Sequence, residues 1–164
     1  MNTKIVKKIR NTAAAGLWTS VGVMLLTVLF YYASPYKFTL GEYGNKWALV
    51  AATVLAVLSV SMVLLTVRKR VPQLRQTDSI DEKLQGYAAH IKSVYVSMAA
   101  VVCVVCGCSI LSSSNVLIML GMVCVLVLFL NYPNIYRIKV DLGLDDETMR
   151  SLFGENYIPD EPQQ

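Results

Sequence analysis

The stretch SVYVSMAAVVCVVCGCSILSSSNVLIMLGMVCVLVLFLNYPNIY, residues 93–136, holds no charged side chain. Its one sustained polar interruption is Ser112-Ser113-Ser114-Asn115. A bilayer hydrocarbon core of about 30 Å takes about 20 apolar residues per helix, so the stretch reads as two spans joined by a tight turn. Two further charge-free runs, 11–36 and 47–67, precede it. The sequence therefore predicts an all-α, four-helix transmembrane bundle. The expected spans lie at about 13–33, 46–67, 91–111 and 115–132, with a short amphipathic helical tail at 133–164.

Composition agrees. Of the 164 residues, 55% are hydrophobic and 16% charged, against about 25% charged in soluble proteins. Four spans use roughly half of this length, and the remainder is too short for a second folded domain of ordinary size. A single integral membrane domain over 1–164 is expected.

The basic residues are segregated. Lys4, Lys7, Lys8 and Arg10 precede the first run; Arg68, Lys69, Arg70, Arg75, Lys83 and Lys92 lie between the second and third; Arg137, Lys139 and Arg150 follow the last. The two remaining segments hold only Lys37 and Lys46. By the positive-inside rule, thirteen basic residues against two put both termini and the central loop in the cytoplasm. So uneven a count also argues against insertion both ways up. The first apolar run exceeds the 7–15 residues of a secretory core, and Tyr31 stands where a cleavage site needs a small residue. It reads as an uncleaved anchor.

Local signals set the boundaries. Trp18, Tyr31, Tyr32, Tyr36, Tyr43 and Trp47 fall where interfacial aromatic belts belong, and Pro35 follows the first span. Ala48, Ala52 and Ala56 make a small-residue stripe in the second span, and Gly16 with Ser20 a shorter one in the first, as close helix packing in lipid requires. Ser79 and Glu82 form a capping box, so the third helix is expected to begin near Ile80 and run to about Leu111. Its first turns carry an apolar stripe of Leu84, Tyr87 and Ile91. Pro133 predicts a break, after which Ile135, Ile138 and Leu142 share one face of a short helix stopped by Gly143. Asp145 then caps a segment ending at Gly154, and Ile158 to Gln164 are expected to be disordered. The two stripes should bury each other as a cytoplasmic cap.

The second half carries a further pattern. Lys83-Leu84-Gln85-Gly86-Tyr87 leads into a span, a polar turn and another span, then Tyr132-Pro133, Asp141-Leu142-Gly143-Leu144 and Asp145-Asp146-Glu147. This resembles an uncharacterised family of small four-span bacterial inner-membrane proteins. That family has basic residues and a glutamate early in the third span, where this chain has Ser93, Val94, Tyr95 and Val96. The resemblance implies a bacterial inner-membrane location and topology. It implies no activity.

Candidate chemistry is sparse. An ionisable residue inside a span marks function by default, and none is expected here. The hydroxyls of Thr19, Ser20, Thr27, Thr53, Ser59, Ser61, Ser97 and Ser109 ordinarily bond their own helix backbone. Cys103 and Cys124 fall at matching depth about the hairpin turn, Cys106 shares a face with Cys103 and Cys108 is nearby, so a three-thiolate metal or redox site is chemically conceivable. Burial of cysteine as a small apolar residue competes with that reading. Gly107 and Gly121 match in depth and suggest close hairpin packing. His90 reads as an interfacial polar residue, or as a pH-sensitive contact. Lys4, Lys7, Lys8, Arg10, Arg68, Lys69 and Arg70 suit anionic lipid head groups. The pattern of a nucleic-acid-binding surface is missing from the sequence, as are a phosphate loop and any catalytic pair, and no cofactor is expected. The sequence favours a non-catalytic interaction or assembly protein, as a homo-oligomer or with a membrane-protein partner. Alternatives are a subunit of an oligomeric transporter or channel, and the thiol site.

Overall fold

The computed structural model describes residues 2–34 and 39–154. The expectations for Pro35, Tyr36, Lys37 and the tail beyond Gly154 lie outside these residues. The described chain is all-α: α1 (Asn2–Ala33), α2 (Gly41–Arg75), α3 (Ile80–Ser112), α4 (Asn115–Leu130), α5 (Ile135–Leu142) and α6 (Asp146–Phe153).

The third helix is the hub, packing on α1, α2 and α4. It begins as the capping box requires, with the Ser79 hydroxyl accepting from the Glu82 N–H at 3.5 Å. At 33 residues it is about 50 Å long, enough to span a bilayer and stand clear of it. Its C-terminus turns at Ser113, which takes a left-handed conformation with φ 47°. The Tyr31 hydroxyl donates to the Ser113 carbonyl at 2.9 Å, which ties the end of α1 to that turn.

The first helix starts at Asn2, about three turns before the expected span at 13–33. Val6, Ile9, Ala13, Leu17, Ser20, Met24 and Thr27 are all buried, at spacings of three and four from end to end. The basic residues Lys4, Lys7, Lys8 and Arg10 occupy the other faces of the same helix and are exposed. Charge at Lys7 and Lys8 masks the apolar seam in any average over the segment, and that is why the early start was not legible. The second helix likewise continues past Arg68 and through Pro72 to Arg75. Most of the expected central loop is therefore helix, and Val71 is buried on it.

The fourth helix has 16 residues, about 24 Å, short for a bilayer core. It bends by 73° into α5 across the break at Pro133. Three helices, α1 to α3, are each long and apolar enough to cross a membrane, and α4 joined to α5 is a fourth candidate. Large apolar side chains cover the outside, including Leu26, Leu58, Met119 and Phe129, each more than half exposed. Apolar surface on that scale needs a nonaqueous solvent. The chain is a membrane protein.

Small residues are spent inside the chain. A Cβ built on Gly16 lies 2.9 Å from the Tyr95 Cβ, so α1 and α3 touch there only because Gly16 has no side chain. Ser20 is buried beside it and bonds the Gly16 carbonyl at 2.8 Å. Ala52 and Ala56 are buried, while Ala48 is half-buried. Gly121 admits Met24 of α1, whose Sδ lies 3.0 Å from a built Cβ. Gly107 corrects the expectation of matched glycines. Nothing lies within 4 Å of its built Cβ, because α3 turns Cys106 and Ser109 inward and leaves Gly107 at the edge.

Candidate functional site at the basic end of the bundle

The N-terminus of α1, the C-terminus of α2, the first turns of α3, and α5 with α6 all meet at one end. The cap has an apolar centre. Leu84, Tyr87 and Ile91 of α3, Ile138 and Leu142 of α5, and Met149 and Leu152 of α6 are buried in the same core as Val6 and Ile9. The bend at Pro133 turns α5 back under α2, its main packing partner, so the cap involves α2 as well as the expected α3 stripe.

Around this centre runs a polar network. The Tyr87 hydroxyl donates to Asp141 Oδ2 at 2.8 Å. Arg137 lies 3.7 Å from the same carboxylate oxygen and donates to the Leu130 carbonyl at 2.6 Å and to Asn131 Oδ1 at 3.0 Å. The Leu130 carbonyl has lost its helical donor, since the Asn134 N–H bonds Tyr132 instead. Arg137 thus satisfies the orphan group the break creates. Arg75 does the same for α5, donating from Nε to the Asp141 carbonyl at 3.1 Å and from Nη2 to that of Val140. Cations at a helix C-terminus also suit its dipole. Lys139 and Asp146 pair at 2.7 Å between α5 and α6. Asn134 caps α5 through the Arg137 N–H at 2.6 Å, and Gly143 ends it with φ 61°.

Burial, followed by the charge of Asp141, pushes the Tyr87 hydroxyl well above its ordinary range, so Tyr87 stays a donor. His90 is 2% exposed, so its ring faces the protein interior. Burial first, then the nearby Arg70 of α2, lowers its pKa, while Asp141 of α5 opposes the shift. The neutral imidazole is therefore the form the fold prefers. A depressed folded pKa gives stability that is present above the unfolded value of about 6.5 and is lost as pH falls from there through the folded value. Melting temperature in detergent should fall as pH is lowered from about 7 to about 5, and His90→Gln should flatten that slope. An unchanged slope in the variant would refute the assignment.

The other candidate residues scatter. Cys106 and Cys124 are buried, but Cys103 is exposed on the outside of α3 and Cys108 only half-buried. Cys106 Sγ lies 3.7 Å from the Met24 thioether, a soft contact inside an apolar core. Among the described residues no three Cys, His, Asp or Glu side chains gather as a metal site. Cys103 and Cys106 share a helix side in spacing, yet the buried face of α3 is too narrow to hold both. The basic clusters Lys4, Lys7, Lys8 and Arg10, and Arg68, Lys69 and Arg70, are exposed at the same end as the cap. Arg75, Arg137, Asp141 and Tyr87 were not singled out as a group from the sequence. The spacing of Arg137 and Asp141, four apart on one helix, was its only local signal. No family model matches this chain, and neither does any curated protein or solved structure.

Proposed function

We propose that this chain is a bacterial inner-membrane protein that crosses four times with both termini cytoplasmic, and that it serves as a non-catalytic interaction or assembly protein. One observation carries the functional part. The interior between the helices is filled by Met98, Val102, Val105, Leu117, Cys124 and Leu128, all 2% exposed or less, so the described residues of one chain line no polar pathway. The polar network instead gathers at the basic end and fastens α5 and α6 into a shaped cap. That cap is the part of the chain we assign to a partner's contact. The location draws support from the resemblance in the second half of the chain and from the aromatic belts. The orientation draws support from the charge bias, since basic residues stay cytoplasmic.

The inward use of Gly16, Ser20, Ala52, Ala56 and Gly121 changes how assembly would work. The outer faces of α2 and α4, and the cap, are what remain for a second copy or a membrane partner. Two measurements test the reading. Reporter fusions at Ser114 should be active only outside the cytoplasm, and fusions after Gly154 only inside. The extracted complex should have a native mass above that of one 18.2 kDa chain, while reconstituted vesicles should show no ion flux. A monomer in gentle extraction, or flux across the vesicle, would overturn assembly as the role.

A further inference from the structure

We propose that the groove between α1 and α3 at the basic end binds one anionic phospholipid. The groove measures about 530 Å³. Lys8 of α1 stands on one rim and Lys92 of α3 on the other. Both are exposed, and among the described residues neither forms an ion pair. Two lysines bordering one cleft supply cationic donors for a phosphate. The Thr12 hydroxyl and the Gln85 amide, also in the lining, add neutral donors for a phosphodiester or ester oxygen. The floor is apolar. Ile9 is 1% exposed beneath it, and Ala88 with Ala89 keep the α3 wall low enough to leave the cleft open.

Position selects a lipid over a soluble anion. Lys92 is the last charge before the apolar stretch 93–136, and Arg10, two residues from Lys8, is the last before 11–36. The groove therefore straddles the border where head groups meet hydrocarbon. A free phosphate has no use for the apolar floor, and a zwitterionic lipid carries no net charge to hold between the two lysines. An anionic phospholipid uses both. The assignment rests on the proposed orientation only for the name of the leaflet, the cytoplasmic one.

The test titrates the full-length chain in neutral detergent with phosphatidylglycerol, and with phosphatidylcholine of the same acyl chains, and counts retained lipid by native mass spectrometry. One phosphatidylglycerol should be retained in preference. Removing both cations with Lys8→Ala/Lys92→Ala should weaken that retention about 25-fold, at roughly fivefold per lysine near an anionic head group. Arg68→Ala/Lys69→Ala removes the same charge from α2, which contributes no residue to the groove, and should change it less than about twofold. Ala89→Trp fills the cleft, keeps every charge, and should lower retention comparably to the lysine pair; it serves if the double variant unfolds. Equal loss from the Arg68 and Lys69 changes would mean general attraction and overturn the site. So would equal retention of phosphatidylcholine, or competition by glycerol phosphate as strong as by the intact lipid. A reporter result that reverses the orientation would rename the leaflet and leave the titration untouched, so the two failures are separable.

Discussion

Leu84→Asp should strongly destabilise the protein in detergent, by more than about 3 kcal/mol, because it leaves an unpaired carboxylate in an apolar site. Leu84 has no solvent exposure and sits in the apolar core cluster, which offers a carboxylate neither a cation nor a free donor. The substituted side chain would have to ionise without a partner or remain protonated within the apolar core it shares with Tyr87 and Ile138. Ile138→Asp should behave alike, since Ile138 is equally buried on α5. Both variants should detach the cap first, and so expose the α5–α6 region to protease before the spans unfold. A change at Gln164, outside the described residues, should alter neither readout. Thermal unfolding of the three purified variants checks this, and equal tolerance at all three positions would remove the cap from the account.

The second large effect is expected at Gly16. Its built Cβ sits 2.9 Å from the Tyr95 Cβ and 3.1 Å from Cδ1. Tyr95 cannot swing aside cheaply, because it is fully buried and its hydroxyl donates to the Leu128 carbonyl of α4 at 2.9 Å. Gly16→Leu must then push α1 off α3, and an overpacking cost of about 1–3 kcal/mol is the expected scale. Gly107 is the internal comparison. With nothing within 4 Å of its built Cβ, Gly107→Ala should be neutral, or stabilising by up to about 1 kcal/mol through helix propensity. Melting temperatures of the two variants, read side by side in one detergent, decide it. A Gly107 variant as damaged as the Gly16 variant would contradict the packing described for α3.

Much of the helical outline was readable from single residues. Ser79 and Glu82 placed the start of α3, Pro133 placed the break after α4, and Gly143 and Gly154 placed the ends of α5 and α6. These signals are local, since each states what the backbone at that position can or cannot do. The early start of α1 and the late end of α2 were not readable. There the helix is held by a seam against its neighbours, at Val6, Ile9 and Val71, while charged residues on the remaining faces imitate a loop. The small-residue stripes looked alike in sequence. Only packing separated Gly16 and Gly121, which admit a neighbour, from Gly107, which admits nothing.

The candidate site divides in the same way. The exposed cationic clusters could be named directly, because charge beside an apolar span is a property of composition. The Tyr87–Asp141 bond joins residues 54 positions apart, and Arg75 reaches the end of α5 across 66. Neither spacing leaves a mark in the chain. The groove between Lys8 and Lys92 also exists only because α1 and α3 lie side by side. The sequence alone determined an all-helical chain for an apolar solvent, since lipid leaves backbone polar groups no partner except their own helix. Tertiary structure decided which faces meet, where the cap closes and which cations stand together, because those depend on contacts between distant residues that no local pattern encodes.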